Sequence, residues 1–106
     1  MTVASRRAER AEQLADELGA EALAFEDRET RLADFDIVVS TIAAPAAVWS
    51  SSATAEAMRR RPARPLFFID LAVPRNVESA VADIDNVFLY NLDDLARVAE
   101  ENRVAR

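Results

Sequence analysis

The chain has 106 residues with 13 basic and 19 acidic side chains, and its net charge of −6, without a basic stripe, argues against nucleic-acid binding as the main task. Cysteine and histidine are both absent, which excludes disulfides and a thiol nucleophile and removes the commonest metal ligand and neutral-pH acid–base group. No apolar run approaches the roughly 20 residues that cross a bilayer and no signal peptide is visible, so we expect one globular, cytoplasmic domain or less.

The first third of the sequence alternates between strand and helix patterns. TVAS (Thr2–Ser5) is typical of a short buried strand. Apolar residues then recur at helical spacing up to Gly19, whose position predicts a C-terminal cap. EALAF (residues 21–25) predicts a second strand, and residues 26–33 predict a short helix that turns Leu32 inward.

Three further strands are predicted. DIVVSTI (residues 36–42) is a near-continuous β-branched run, typical of a strand buried on both faces of a parallel sheet. Residues 65–74 contain the strongest strand pattern, and residues 86–90 contain the last one. Because strands alternate with helices, the fold class is α/β, with a parallel sheet that carries helices on both faces.

Two further helices are predicted from their caps. The triplet Ser50-Ser51-Ser52 offers an N-cap for a helix that runs to about Arg61, where the RPARP segment ends it. Asn91 is placed to cap a closing helix, with Asp93 and Asp94 in the first turn, where the helix dipole favours negative charge. We interpret these two carboxylates as capping groups and not as acid–base machinery.

Three stretches resemble the NADPH-binding domain of glutamyl-tRNA reductase, the family that reduces glutamyl-tRNA to glutamate-1-semialdehyde in tetrapyrrole synthesis. They are SRRAERAEQLADELG, DIVVSTIAAP and RPLFFIDLAVPRNVESAVADIDNVFLYNLDDL. The third is the specific one, because IDLAVPR followed by DNVFLYNLDDL matches the family pattern closely. The first two occur in many NADP-dependent folds, including the shikimate dehydrogenases. The resemblance spans residues 5–95 and implies NADPH as the cofactor.

The resemblance assigns the segment SRR to cofactor binding, at the position where the family usually has Asn-Arg-Thr. It implies that Arg6 lies near the 2′-phosphate of NADPH, with a hydroxyl from Ser5 and a second cation from Arg7. A guanidinium suits this site because it is permanently charged and bonds a phosphate through two donors, whereas an acidic residue would favour NAD. The alternative interpretation of two arginines at a helix start is an ordinary solvated surface.

STIAAP falls where the family has Ser-Ser-Thr-Gly-Ala-Pro, and the resemblance assigns Thr41, Ile42 and Ala43 to cofactor binding. This loop follows a central strand, at the edge of the sheet where ligands of open α/β sheets bind. Ala43 stands where glycine is usual, and glycine lets a backbone approach a cofactor closely. The alternative is an ordinary turn before Pro45.

Asp70 ends the apolar run LFFID. A carboxylate in such a strand has to be hydrogen-bonded or paired, for example with Arg75. We expect Asp70 to be a structural carboxylate that holds the AVPR turn. We identify no catalytic residue and no metal ligand in the chain.

Gly19 is the only glycine, so the chain holds no Gly-x-Gly-x-x-Gly loop. The expected fold is therefore Rossmann-like but lacks its first strand and glycine-rich loop. In the strand order 3-2-1-4-5-6 that strand lies between residues 2–5 and 36–42, so its absence would leave unpaired edges. We expect residues 1–90 to form a partial NADP-binding domain and residues 91–106 to begin the helix leading towards a dimerisation domain.

The principal hypothesis is an excerpt or truncated form of glutamyl-tRNA reductase that contributes the adenosine side of the NADPH site and is inactive alone. The implied partners are glutamyl-tRNA, mainly through other domains, and a second subunit of a homodimer, with no membrane. One alternative is another NADP-dependent dehydrogenase, such as a shikimate dehydrogenase relative. A second alternative is a non-catalytic remnant that oligomerises through exposed strand edges.

Overall fold

The computed structural model describes residues 1–104, so the last two residues of the predicted closing helix lie outside the described part. The chain forms two compact units, residues 1–32 and residues 33–106. Among the described residues, no helix is long and apolar enough to cross a membrane.

The first unit is a βαβ arrangement built from β1 (Thr2–Ser5), α1 (Ala8–Leu18) and β2 (Glu21–Ala24). The two strands pair in parallel through their whole length. Gly19 has a left-handed backbone, with φ of 64°, and its amide donates to the carbonyl oxygen of Ala15. The predicted glycine cap is therefore confirmed, since this conformation carries no penalty for a residue without Cβ.

The short helix predicted over residues 26–33 is wrong. The structure has two 3₁₀ turns there, Phe25–Asp27 and Leu32–Asp34. Between them, the carbonyl oxygen of Asp27 accepts a hydrogen bond of 3.0 Å from the Thr30 hydroxyl. So short a segment cannot offset the cost of helix nucleation, and such local side-chain bonds compete with helical ones. The predicted inward position of Leu32 is confirmed, because its side chain is fully buried.

The second unit contains a parallel sheet of three strands that are adjacent in their chain order, with an α-helix in the first connection between them. A 3₁₀ turn at Ser79–Asp83 precedes the last strand. The regular elements are β3 (Ile37–Ser40), α2 (Ser51–Arg59), β4 (Leu66–Asp70), β5 (Val87–Asn91) and α3 (Leu92–Val104).

Both predicted helix caps of the second unit are confirmed. The Ser50 hydroxyl accepts a hydrogen bond of 3.2 Å from the amide of Ala53 at the start of α2. At the start of α3, the amide of Asn91 donates to the Asp94 carboxylate and the amide of Asp94 donates to the Asn91 side chain, each at 2.9 Å. This reciprocal pair satisfies two amides that the helix leaves without an intrahelical partner.

The two faces of the second sheet differ in burial. One face carries Leu66 and Phe68, which are fully buried, and the Phe68 ring lies 5.6 Å from the Trp49 ring. On the opposite face Ile37 and Val39 are 62% and 58% exposed. The prediction that β3 is buried on both faces is therefore wrong. A run of β-branched residues fits a strand with one packed face as well as a strand with two.

Within residues 1–104, the strands form two parallel sheets, β1-β2 and β3-β4-β5. The predicted strand order has a further strand between β1 and β3. In the structure, β1 and β3 belong to different sheets. Among the described strands, β1 pairs only with β2, and β3 only with β4.

Candidate functional site

The segment Ser5–Arg7 connects the carboxyl end of β1 to the first turn of α1. The Ser5 hydroxyl accepts a hydrogen bond of 3.3 Å from the amide of Arg7. Arg6 and Arg7 are exposed, and Arg7 occupies the N-cap position of α1 without a side-chain capping bond. Two guanidinium groups therefore stand at the positive end of a helix, where both the side chains and the helix dipole favour an anion.

A shallow depression of about 440 Å³ runs along the exposed side of α1. Its lining contains as many carboxylates as guanidinium groups, so the charges along this depression balance. The lining residues are Arg7, Glu9, Arg10, Gln13, Leu14 and Glu17.

The second candidate segment, Thr41–Ala43, follows the carboxyl end of β3. Thr41 and Ala43 are exposed, whereas Ile42 is half-buried. Just before this loop, the carbonyl oxygen of Ser40 accepts a hydrogen bond of 2.9 Å from the amide of Leu71. This bond ties the ends of the two neighbouring strands together, as the parallel ladder predicts.

Asn76, which was not predicted as a functional residue, holds this loop through hydrogen bonds from its side chain. It is fully buried. Its side-chain oxygen accepts hydrogen bonds of 2.8 Å from the Ser40 hydroxyl and from the Ile42 amide, and its side-chain nitrogen donates to the Ile42 carbonyl oxygen at 2.7 Å. The indole nitrogen of Trp49 donates to the Ser40 hydroxyl at 3.1 Å. No sequence signal distinguishes this asparagine from a surface one, because its partners are distant in the chain.

Asp70 is a structural carboxylate, as predicted, and is 1% exposed. Its oxygens accept hydrogen bonds from three backbone amides, those of Ala72 at 3.1 Å, Asn76 at 2.7 Å and Val77 at 2.9 Å. Amides therefore take the role suggested for Arg75, which is exposed at the surface. The carboxylate closes the turn that leaves β4 and thereby anchors the residue that holds the neighbouring loop.

Arg61 is a second buried polar residue that sequence reasoning missed, since it appeared only as a helix end. It is 2% exposed and its guanidinium donates to the carboxylate of Asp36 at 2.7 Å. Hydrogen bonds from Arg61, and then from Arg64, hold the pKa of Asp36 below its ordinary value. The guanidinium also donates to the main-chain carbonyl oxygens of Ala33, Phe35, Arg64 and Pro65.

The predicted site residues thus form two separate groups of neighbours. Ser5–Arg7 belongs to the first compact unit and Thr41–Ala43 to the second. Among residues 1–104, no group of three or more His, Cys, Asp or Glu side chains could hold a metal ion. The chemistry available in these two segments is that of guanidinium, hydroxyl and backbone groups, which bind and orient a ligand.

Comparison with known proteins defines the class first. Residues 1–98 match the family described as shikimate / quinate 5-dehydrogenase. The chain belongs to this family, and its parallel strands with flanking helices give it the Rossmann-like architecture expected from the sequence.

Among individual relatives, the chain is similar to glutamyl-tRNA reductases, which confirms the resemblance seen in the sequence. It is 45% identical to glutamyl-tRNA reductase from Chromohalobacter salexigens over the whole chain, which corresponds to 25% of that relative. The chain therefore spans about a quarter of the length of that curated relative.

Solved structures agree in fold. Glutamyl-tRNA reductase from Methanopyrus kandleri superposes with a TM-score of 0.88 and 43% identity, over 95% of this chain and 26% of that one. The nucleotide-binding domain of glutamyl-tRNA reductase from Thermoplasma volcanium superposes with a TM-score of 0.74 over 99% of this chain and 66% of that one. At 20% identity, this second likeness shows the fold alone.

Proposed function

We propose that this chain is a nucleotide-binding portion of a glutamyl-tRNA reductase and that it contributes the adenosine side of an NADPH site. The observation that carries the proposal is the pair of exposed guanidinium groups between the carboxyl end of β1 and the start of α1. The identity of 45% to a glutamyl-tRNA reductase over the whole chain supports the choice of enzyme.

The residues present suit the phosphate of NADPH. Arg6 is proposed to bind the 2′-phosphate through two donors, with Arg7 as a second cation and the Ser5 hydroxyl as a hydrogen-bonding group for the ribose. No acidic residue stands in this segment, so nothing there favours the free 2′-hydroxyl of NAD. When bound, NADPH supplies the hydride, while the residues of this chain supply position and charge.

Thr41, Ile42 and Ala43 are proposed as the cofactor-binding residues of the second unit. They follow the carboxyl end of a central parallel strand, where ligands of open α/β sheets bind. The hydroxyl of the exposed Thr41 is a group available for this contact. The methyl group of Ala43 limits how closely a cofactor approaches the backbone at that residue.

The chain alone is proposed not to reduce glutamyl-tRNA. It contains no cysteine, no histidine and no glycine-rich phosphate loop, so it lacks a thiol nucleophile and a pyrophosphate cradle. In the intact enzyme, which we propose to be a cytoplasmic homodimer, glutamyl-tRNA would be bound mainly by other domains.

The test is a titration of the purified chain with NADPH and with NADH, following nicotinamide fluorescence and melting temperature together. We expect a saturable response that prefers NADPH and is lost in Arg6→Ala. Arg103→Ala is the matched control, because Arg103 is an exposed arginine on α3. A chain that melts cooperatively but does not respond at millimolar cofactor would contradict the proposal.

A second candidate is another NADP-dependent dehydrogenase, which the family match over residues 1–98 favours. An activity assay on the intact enzyme separates the two candidates. Reduction of glutamyl-tRNA supports the first, and NADP-dependent oxidation of shikimate supports the second.

A third candidate, self-association without catalysis, is favoured by the open face of the second sheet. Ile37 and Val39 lie there with most of their side chains exposed, beside the outer edge of β3. Such surfaces invite pairing with another chain. Size-exclusion chromatography with mass determination would show an oligomer that dissociates in Val39→Lys and has no affinity for nucleotide.

A further inference from the structure

Asn76 connects four parts of the second unit through its polar groups. Its side chain binds the end of β3 and the loop after it, as described above. Its main-chain amide donates to Asp70 at the end of β4, at 2.7 Å. Its main-chain carbonyl oxygen accepts hydrogen bonds from the amides of Val48 at 2.7 Å and Trp49 at 3.0 Å, just before α2.

In the loop, both the amide and the carbonyl group of Ile42 are therefore hydrogen-bonded to the Asn76 side chain. The Ile42 amide donates to the side-chain oxygen and the Ile42 carbonyl accepts from the side-chain nitrogen. A primary amide suits this role because its oxygen accepts from two donors while its nitrogen donates to a separate acceptor. The loop therefore cannot change conformation at Ile42 without breaking hydrogen bonds to a fully buried side chain.

We propose that Asn76 is a positioning residue, which fixes Ile42 so that the flanking residues Thr41 and Ala43 are presented to a bound nicotinamide dinucleotide. Thr41 and Ala43 are exposed on either side of the clamped residue. Asn76 itself contacts no ligand in this proposal and acts only through Ile42. The inference rests on the proposed NADPH site and adds to it a residue outside the segments assigned by resemblance.

The test compares the unaltered chain with Asn76→Asp, which keeps the size of the side chain but replaces the donor that faces the Ile42 carbonyl by an oxygen. Two readouts are needed. Amide hydrogen exchange at Ile42 reports the loop without any cofactor, and affinity is measured for NADPH and for adenosine 2′,5′-bisphosphate. The bisphosphate reports the Ser5–Arg7 segment alone. Asn102→Ala is the control, because Asn102 is exposed on α3.

We expect Asn76→Asp to accelerate exchange at Ile42 about tenfold and to raise the Kd for NADPH about tenfold, with the Kd for the bisphosphate unchanged. Faster exchange with unchanged NADPH affinity would overturn the positioning role, as would unchanged exchange. If the unaltered chain binds neither nucleotide, the proposed function fails and the positioning role fails with it, whatever the exchange data show.

Ser40→Ala keeps the proposal open to contradiction if Asn76→Asp does not fold. This change removes the hydroxyl that donates to the Asn76 side chain and accepts from the Trp49 indole, and it leaves both Ile42 contacts in place. We expect exchange at Ile42 to rise about threefold, because the amide of Asn76 is then held by fewer bonds. No rise would contradict the proposal.

Discussion

The two candidate segments both follow the carboxyl end of a parallel strand, yet they are built differently. Ser5–Arg7 carries two exposed guanidinium groups, and a hydrogen bond of 3.3 Å joins the Arg7 amide to the Ser5 hydroxyl. Thr41–Ala43 carries no charge, and its central residue is hydrogen-bonded to the buried side chain of Asn76.

The difference follows from what each segment offers a ligand. A guanidinium attracts a phosphate over several ångströms and adapts to it, so it functions at an exposed surface. Backbone and hydroxyl groups act only at hydrogen-bond distance, so they need a rigid scaffold that fixes their direction. Substitutions in the scaffold should therefore affect stability, and substitutions in the charged segment should affect binding alone.

The largest effect is expected from Arg61→Ala, which removes the buried guanidinium of the second unit. Four main-chain carbonyl oxygens lose this donor and Asp36 keeps only its bond from Arg64, so we expect a loss of about 4 kcal/mol in the free energy of unfolding. Trp49 is the only tryptophan, so urea unfolding followed by its fluorescence reports this unit. A loss below about 1 kcal/mol, as expected for Arg103→Ala, would mean that the buried hydrogen bonds are replaced by water.

Asp70→Ala is expected to have the next largest effect. It leaves three backbone amides without their acceptor, two of them buried, and should destabilise the second unit by about 3 kcal/mol. The same urea experiment measures it, with exposed Asp85 changed to alanine as the control. If stability falls but the backbone of Ile42 stays protected from exchange, Asp70 does not anchor Asn76.

Arg6→Ala should show the reverse pattern. We expect stability to change by less than about 0.5 kcal/mol, because Arg6 is exposed, while the affinity for NADPH falls by about 2 kcal/mol through loss of a charged hydrogen-bonding partner. Titration and thermal melting of one sample measure both quantities. A variant that lost stability and kept its affinity would break the distinction between the two segments.

The smallest effect concerns pH. Hydrogen bonds from Arg61 and Arg64 lower the pKa of Asp36 below its ordinary value of 3.8. A carboxyl whose pKa is lowered by folding stabilises the protein above its unfolded pKa, and this contribution disappears as the pH falls through the folded pKa. We expect Asp36→Asn to flatten the acid limb of a plot of melting temperature against pH. An unchanged limb would show that solvent screens this exposed carboxylate.

Much of the secondary structure could be predicted from residues that are close together in the sequence. The caps at Gly19, Ser50 and Asn91 are confirmed because capping depends on residues within a few positions. The prediction of a helix over residues 26–33 was wrong, because the periodic pattern of so short a segment is weak and local hydrogen bonds decide its conformation.

The sequence by itself determined the α/β class, the order of the five strands and the three capped helices, the resemblance to glutamyl-tRNA reductase and the attachment of both candidate segments to strand ends. Tertiary structure alone decided which face of β3 is open and which polar residues are buried. Arg61 and Asn76 look like surface residues in the sequence, yet both are buried, because several of their partners come from segments more than 25 residues away. Burial of a polar group depends on distant partners that satisfy it, and no local pattern contains that information.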